Sequence, residues 1–444
     1  MFLPQQQQQQ PRVGVRGVTY KQFEQVVADL LPTIQPCFFK IPPRPTEDWP
    51  FDVLPKAARV QGSCKGQLQG IRAIRKENQL RSLLQCIIAM LPDTVSQFSI
   101  VDFGGGTGHL SIPLALLLPH CQVTVVDLKA ASLRLVHEKA MQFCHDDDQE
   151  EMFCYPKGND LTKHDQIKRP CRGIPNLYTF HGSMEVYDHD FDLGVSLHAC
   201  GEASDLVLRA CGRAGAQLVV APCCVGKLNR RVLNPYVYHA TGENFPTITY
   251  PQSSAFEGIF PNDWDALTKA ADYSDWDEMR SSRNATRRTA KALLETDRLL
   301  FLQEHYNYST ALVRMDPWEA SPKHDVLLAW HSEEWSPFKE HAMEPDDACN
   351  ADMQMSLNYL LEADELEKDS VDWTLEEQRQ IEEELQHFMN CNERKYIFPT
   401  RMGGRKRKLV HYVAEQLGLA HWGVGLKDAD KTVAVGKLKK DSPK

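Results

Sequence analysis

The sequence predicts an α/β fold with a mostly parallel sheet, followed by a small C-terminal α+β domain. The first observation is that short apolar runs rich in β-branched residues alternate with helical segments through the middle of the chain, which is typical of a parallel sheet. The second is a change of charge: 344–384 contains fifteen acidic and two basic residues, whereas 394–444 contains thirteen basic and four acidic residues. An acidic tether therefore separates a large domain from a basic module.

The composition limits the class of protein. A chain of 444 residues can hold two or three domains, and its 42% hydrophobic and 25% charged residues are ordinary for soluble globular proteins. We find no apolar run near the roughly 20 residues of a membrane helix, and no N-terminal signal, so we expect no membrane partner. The thirteen cysteines show no disulfide-scaffold spacing. This favours a reducing compartment, the cytoplasm or alternatively the nucleus.

Four segments are predicted along the chain. They are a low-complexity and Pro-rich segment with one helix (1–69), the α/β domain (70–331), an acidic linker (332–371) and the basic module (372–440). The N-terminal segment contains a glutamine run at Gln5–Gln10, a helix at Tyr20–Leu31 and an extended connector at Pro32–Pro55.

The α/β domain is organised around Ser99–His109 (SIVDFGGGTGH). A short strand ends in a turn that contains Gly104, Gly106 and Gly108, and an apolar helix follows at Leu110–Leu118. Glycines let the backbone turn sharply and let a ligand lie against it. Asp102 stands in the strand before the turn, and Asp127 ends the next strand, Gln122–Val126. An acid at that position is suited to holding ribose hydroxyls.

The spacing of these glycines favours one nucleoside cofactor over another. Dinucleotide-binding turns have the pattern G-x-G-x-x-G, whereas this turn is D-F-G-G-G-T-G. The motif resembles the first motif of Rossmann-like, S-adenosylmethionine-dependent methyltransferases, with a dinucleotide enzyme as the alternative. The resemblance implies that Asp102 helps to hold the methionine end and Asp127 the ribose. Ser183 and Met184, at the end of the third strand, would border the adenine.

The remaining elements complete a predicted seven-stranded sheet. A helix at Gly70–Leu91 precedes the first strand. It carries a polar face of Arg72, Arg75, Lys76, Asn78 and Gln79, which is either a contact to cofactor or substrate or a solvated helix face. The further strands and helices are predicted at Ala130–Gln142, Tyr178–His181, Phe191–Leu197, Asp205–Ala214, Gln217–Val220, Arg283–Gln303, Ala311–Met315 and Asp325–Trp330, with the last two strands forming an antiparallel pair. The segments 145–175 and 229–283 are predicted to be a surface loop and an irregular, aromatic-rich region.

Polar and soft side chains follow the fourth and fifth strands. His198, Cys200, Cys223 and Cys224 should converge, because ligands bind at the carboxyl ends of neighbouring strands. Three interpretations stay open: packing against cofactor and substrate, zinc ligation, and a cysteine nucleophile that adds to a pyrimidine ring. Adjacent cysteines on an extended backbone should diverge, so we predict no metal. The candidate catalytic residues are His198, Cys200, Glu202 and Cys223, with His198 or Glu202 as a base.

Longer motifs make this resemblance more specific. LHACGEASD (Leu197–Asp205) and APCCVGK (Ala221–Lys227) resemble paired motifs of the methyltransferase domain in the glutathione S-transferase C-terminal domain-containing proteins. The similarity covers about 70–331 and includes the motifs Arg72–Leu80, Tyr250–Phe256, Ala290–Arg298 and Ser321–Leu328. The His-x-Cys-Gly and Cys-Cys elements also resemble a class of tRNA 2′-O-methyltransferases. These resemblances imply S-adenosylmethionine as the cofactor.

The basic module contains a second motif. A capping box begins a helix at Thr374, and the pattern continues with a strand at Lys395–Phe398, a helix at Arg405–Leu417 and strands at Trp422–Leu426 and Thr432–Val435. Arg407 and His411, four residues apart, share a helix face. This resembles the Arg-x-x-x-His domain that is associated with single-stranded nucleic acid. The candidate binding residues are Arg407, His411, Lys406 and Lys408.

Together these patterns predict an S-adenosylmethionine-dependent methyltransferase that acts on RNA, either tRNA or rRNA. The basic module would raise the local concentration of single-stranded RNA near the active site. Two alternatives stay open: a protein methyltransferase that its RNA-binding tail localises, and a catalytically silent RNA-binding scaffold.

Overall fold

The computed structural model describes most of the predicted α/β domain and basic module. The described residues are 20–41, 59–60, 68–92, 97–144, 166–226, 228, 248–272, 282–317, 320–338, 343–347, 350–351, 354–356, 374–391, 393–398, 404–424 and 432–437. The glutamine run and most of the acidic linker lie outside these residues. The chain divides into two units, Met1–Leu360 and Leu361–Lys444, which are described separately below.

The first unit alternates helices and strands. Its helices are α1 (Tyr20–Leu30), α2 (Gly70–Met90), α3 (Ser111–Leu117), α4 (Ala130–Ala140), α5 (Glu202–Ala214), α6 (Pro261–Ala271) and α7 (Ser282–Tyr306). Its strands are β1 (Phe38–Phe39), β2 (Phe98–Phe103), β3 (Cys121–Asp127), β4 (Lys168–Pro170), β5 (Leu177–His181), β6 (Leu193–Leu197), β7 (Gln217–Ala221), β8 (Ser309–Arg314) and β9 (Asp325–Trp330).

The predicted seven strands form one sheet, and two short strands extend it. Among the described residues the order is β1-β8-β9-β7-β6-β2-β3-β5-β4. Strands β2, β3, β5, β6 and β7 pair in parallel, whereas β9 is antiparallel to both β7 and β8. The edge strands β1 and β4 correct the prediction, since 32–55 was expected to be only a connector and 145–175 only a loop. Neither short segment has an alternating pattern long enough to predict a strand.

Each face of this sheet is covered by helices. On one face α2, α3 and α4 pack on alternate strand residues such as Ile100 and Val123. On the other face α5 and α7 pack on Val101, Val126 and Val220. Two buried faces explain why the strands are almost continuously apolar. The sheet therefore presents only its ends to ligands.

Helix α6 corrects the prediction that 229–283 is irregular. It begins with Pro261, a residue that favours the first helical position because its ring fixes φ and its missing N–H needs no partner. Trp264, Leu267 and Ala271 lie on one side and are buried against α1 and α7. The aromatic residues upstream obscured this short helical period.

The second unit is a separate α+β domain. Its helices are α8 (Leu375–Asn390) and α9 (Gly404–Gln416), and its strands are β10 (Lys395–Ile397), β11 (Ala420–Val424) and β12 (Thr432–Gly436). The strands form an antiparallel sheet in the order β10-β12-β11. The predicted capping box is present, since Thr374 Oγ1 accepts from the Glu377 backbone and the Glu377 carboxylate accepts from Thr374. In neither unit does a described helix have the length and apolar character needed to cross a membrane.

Candidate active site

The glycine turn after β2 leaves an open concave surface. Gly104, Gly106 and Gly108 all have positive φ, near 70°, 59° and 75°. This backbone conformation is unfavourable for residues that carry a side chain. A Cβ on Gly104 would meet no atom within 4 Å, and one on Gly106 would meet only a backbone oxygen at 3.9 Å. Among the described residues, no other protein atom lies over Gly104 or Gly106. A ligand can lie there against bare backbone, next to the start of α3.

The two acids of the prediction flank this turn on the same face of the sheet. Asp102 pairs in register with Val125, so Asp102 and Asp127 point the same way. The Asp102 carboxylate is buried and accepts a hydrogen bond from Ser111 at the start of α3. Asp127 accepts from the backbone N–H of Gly106 at 3.1 Å and of Lys129 at 2.7 Å. The predicted geometry of a turn between two acids is thus present.

The environment of these acids changes their protonation. Burial raises the pKa of Asp102 to about 7, although the Ser111 hydroxyl and the nearby Lys76 ammonium oppose the shift. Burial also raises the pKa of Asp127, against the two backbone hydrogen bonds. Burial lowers the pKa of Lys76 to about 8. Lys76 comes from the polar face of α2, so that helix contributes a cation to the site.

Ser183 and Met184 lie directly beyond β5, where the prediction places the adenine. Ser183 is buried, and Met184 begins a 3₁₀ turn that ends at Val186. The backbone N–H of Gly182 donates to the Asp127 carbonyl at 3.2 Å, which fixes the end of β5 beside the end of β3. These residues therefore follow the second strand from β2, beside β3 and Asp127.

The residues after β6 and β7 meet as predicted, and the thiols form one cluster. The Sγ atom of Cys200 is 3.2 Å from that of Cys223 and 3.6 Å from that of Cys224, and the last two are 3.5 Å apart. The prediction that Cys223 and Cys224 diverge is wrong. The backbone N–H of Gly201 donates to the Cys224 carbonyl at 2.6 Å, and β7 has ended at Ala221, so the extended geometry assumed for the pair does not hold.

Hydrogen bonding and burial keep the thiols of Cys223 and Cys224 protonated. The hydrogen bond with Cys200, reinforced by burial, raises the pKa of Cys223 far above its usual value. Burial raises the pKa of Cys224 as well. Without a further cation these thiols are poor nucleophiles, because the thiolate is the reactive form. The predicted nucleophilic role of Cys200 and Cys223 gains no support from this environment.

His198 has a defined tautomer. Gln79 donates its amide N–H to the Ala320 carbonyl at 3.0 Å, so its amide oxygen faces His198 Nε2 at 2.9 Å. Nε2 therefore carries the proton, and Nδ1 is the acceptor nitrogen. Burial, followed by the charges of Lys76 and Lys323, lowers the pKa of His198. The residue is still exposed to solvent, which reduces the size of this shift. The imidazole is therefore neutral at neutral pH, the protonation state that a base requires, but its lowered pKa makes it a weaker base than an ordinary histidine.

Glu202 and a buried ion-pair network follow the loop that carries His198 and Cys200. Glu202 is the first residue of α5 and is half-buried. Arg298 of α7 donates two hydrogen bonds of 2.8 Å to Asp205, one of 2.9 Å to Glu295 and one of 3.1 Å to the Gly201 carbonyl. Arg298 thus holds the loop that carries His198 and Cys200. In the sequence this arginine belongs to the motif Ala290–Arg298 but shows no specific role, because Asp205 and Gly201 are more than 90 positions away.

In the second unit the predicted Arg-x-x-x-His face is formed. His411 lies beside Arg407. Its Nδ1 is 2.8 Å from Nδ1 of His421, so the two imidazoles share one proton. Burial, followed by the charge of these neighbours, lowers the pKa of His411. Lys406 is exposed, whereas the side chain of Lys408 lies outside the described residues. His421 is the partner that the sequence pattern did not indicate.

Comparison with known proteins assigns both units. A family described as a methyltransferase domain matches residues 75–231, and the family of the Arg-x-x-x-His domain matches residues 376–437. The first match lies within the first unit and the second within the C-terminal unit. The predicted basic module is thus confirmed as a nucleic-acid-binding Arg-x-x-x-His domain.

Curated relatives match about three fifths of the chain. The chain is 30% identical over 263 residues to the glutathione S-transferase C-terminal domain-containing protein homolog of Drosophila melanogaster, covering 58% of this chain and 37% of that protein. The protein of this name from Homo sapiens is 27% identical over 289 residues, covering 64% and 38%. This chain therefore spans less than two fifths of the length of these relatives. The predicted family resemblance is confirmed.

Solved structures give a more distant likeness. The fibrillarin/Nop5p complex matches with a TM-score of 0.28 and 10% identity, covering 57% of this chain and 83% of that chain. Magnesium protoporphyrin IX methyltransferase from Synechocystis, with bound S-adenosylhomocysteine, matches with a TM-score of 0.29 and 13% identity, covering 70% and 100%.

Proposed function

We propose that the methyltransferase domain uses S-adenosylmethionine and transfers its methyl group to RNA, with tRNA and rRNA as the substrate classes. The observation that carries the proposal is the open turn at Gly104 and Gly106 between Asp102 and Asp127, which lie on one face of the sheet. This arrangement fits a nucleoside with two ribose hydroxyls and a charged amino-acid end. The sulfonium supplies an already activated methyl group, so the protein has mainly to align the acceptor.

The residues of the chain divide the remaining tasks. Asp127 would exchange its backbone hydrogen bonds for ribose hydroxyls, and Ser183 and Met184 would border the adenine. His198 presents Nδ1 as the acceptor nitrogen on the loop after β6. It can take the proton of a hydroxyl or a protonated nitrogen of the substrate. Glu202 is the second candidate base, one residue beyond the Gly201 carbonyl that Arg298 holds.

The Arg-x-x-x-His domain supports RNA as the substrate class, because it is a nucleic-acid-binding domain on the same chain. Exposed Lys406 and the nearby Arg407 supply charge for phosphates, and His411 on the same helix face supplies a hydrogen-bonding imidazole. A domain that holds RNA raises its concentration near the active site. We also propose that the protein acts in the cytoplasm or the nucleus.

A radiolabelled methyl assay tests the proposal. The full-length chain is incubated with labelled S-adenosylmethionine and cell extract, and the product is treated with nuclease or with protease. We expect label that nuclease releases and protease does not, and no label with Asp127→Ala. Label that only protease releases would instead show a protein methyltransferase. Binding of the cofactor without label in any fraction would show a silent scaffold.

The salt dependence of RNA binding tests the role of the Arg-x-x-x-His domain. Changing Lys406 and Arg407 to alanine in the full-length chain should weaken binding of single-stranded RNA. If each contacts one phosphate, the slope of log K against log salt falls by about 1.4. Arg379→Ala, which removes an exposed cation on α8, is the control and should leave the slope unchanged. An unchanged slope in the double variant would contradict this assignment.

A further inference from the structure

The thiols of Cys200, Cys223 and Cys224 form a cluster with the composition of a metal site. Two of them follow β7 and one follows β6, and these strands pair in parallel with Leu197 opposite Ala221. The three residues therefore leave the sheet at the same level. All three Sγ atoms lie within 4.8 Å of one another. Cys200 is exposed and the other two are half-buried, so an ion can reach them from solvent.

The distances between the sulfurs agree with ligation of one ion. Thiolates bind zinc at about 2.3 Å, so two thiolates of a tetrahedral site stand about 3.8 Å apart. The observed separations are 3.2, 3.5 and 3.6 Å. The sulfurs need to separate by only a few tenths of an ångström to surround an ion. No rearrangement of the backbone is required for this.

We infer that Cys200, Cys223 and Cys224 bind one Zn²⁺ ion and leave a fourth coordination position for an oxygen ligand. Among the residues that the structure describes, no further cysteine, histidine or acid joins the cluster. Three protein ligands with an open position are typical of catalytic rather than structural zinc. The fourth ligand is water or a substrate oxygen. Soft thiolates favour zinc over magnesium or calcium.

The surroundings balance the charge of such a site. Binding converts three thiols to thiolates and releases three protons to solvent, so the ion and its three sulfurs carry a net charge of −1. The ammonium of Lys76 interacts electrostatically with Cys223, and that of Lys323 with Cys224. Helix α2 thus supplies a cation near the cysteines, whereas the second cation, Lys323, also forms an ion pair with Asp272. Such neighbours tune a metal site without ligating it.

Metal analysis of the full-length chain tests the inference without any methyl transfer. The chain is purified under reductant, loaded with Zn²⁺, desalted and analysed by plasma mass spectrometry, and a second sample is loaded with Co²⁺. We expect one zinc per chain and a thiolate-to-cobalt charge-transfer absorption. Cys200→Ser, Cys223→Ser and Cys224→Ser should each lower the zinc affinity at least about tenfold and weaken that absorption. Cys144→Ser removes a half-buried thiol outside the cluster and should change neither.

Three results would overturn the inference of a zinc site. Wild type without stoichiometric zinc, or a Cys200–Cys223 disulfide that persists under reductant and excess metal, would overturn the inference. Zinc retained by the triple variant would do the same. Circular dichroism of each variant separates loss of the site from loss of the fold. Because the readout needs no S-adenosylmethionine, failure here is distinguishable from failure of the proposed function.

Discussion

Replacing Arg298 by methionine should destabilise the methyltransferase domain more than any ordinary surface change. The guanidinium and the Asp205 and Glu295 carboxylates are each no more than 1% exposed. Removing it leaves Asp205 with Tyr250 and Gln252 as donors but without an opposing charge. An uncompensated buried charge costs about 3–5 kcal/mol, a large part of the roughly 5–15 kcal/mol that stabilises a typical domain.

Denaturant unfolding followed by circular dichroism measures this loss. The two units are expected to unfold in separate transitions, and the transition of the Arg-x-x-x-His domain, which the substitution does not touch, is the internal reference. Arg209→Met is the matched control. Arg209 donates to Gln252 at 2.9 Å and lies over the Phe301 ring, so its removal should cost less than about 2 kcal/mol.

A double variant separates charge from packing. Changing Asp205 to asparagine in the Arg298→Met background removes the orphaned charge while it keeps an acceptor for Tyr250. The double variant should therefore be more stable than Arg298→Met alone, by about 1 kcal/mol or more. Equal losses of stability in Arg298→Met and Arg209→Met, or a double variant less stable than Arg298→Met, would contradict this expectation.

Two further predictions concern the turn. Because the pKa of Asp102 is raised to about 7 from 3.8, the folded state binds more protons between these values, so stability falls as pH rises through this window. Relative to Asp102→Asn, wild type should lose up to about 4 kcal/mol from pH 4 to pH 7 in unfolding titrations, and parallel pH profiles would contradict this. Gly105→Ala would place a Cβ 2.5 Å from the Asp102 carboxylate and 2.9 Å from Val125. It should cost about 1–3 kcal/mol in thermal unfolding, whereas Gly258→Ala, which meets nothing within 4 Å, should not; equal melting temperatures would refute it.

The sequence predicted the seven central strands because their pattern is local. Apolar runs such as Asp325–Trp330 end in turn residues, and the glycines after β2 mark the start of the ligand site. The edge strands β1 and β4 could not be predicted, since two or three residues carry no period of their own. Their strand geometry comes from pairing with β8 and β5, which only tertiary structure supplies.

The sequence predicted which strand ends are neighbours, but not the contacts between their side chains. His198, Cys200 and Cys223 meet because β6 and β7 are neighbours, which follows from the fold class. The convergence of Cys223 with Cys224 and the tautomer of His198 depend on partners far away in sequence. Gln79 and Ala320 are separated by 241 positions, and no spacing rule connects them.

Calorimetric titration with S-adenosylhomocysteine tests the central claim most directly. Wild type should bind one molecule per chain, and Asp127→Ala should bind about 10- to 150-fold more weakly, because a hydrogen bond to a charged group contributes about 1.5–3 kcal/mol. Glu138→Ala, which removes an exposed carboxylate on α4, should bind like wild type. Equal affinity of Asp127→Ala and wild type, or no binding by wild type, would contradict the claim that the turn between Asp102 and Asp127 holds the cofactor.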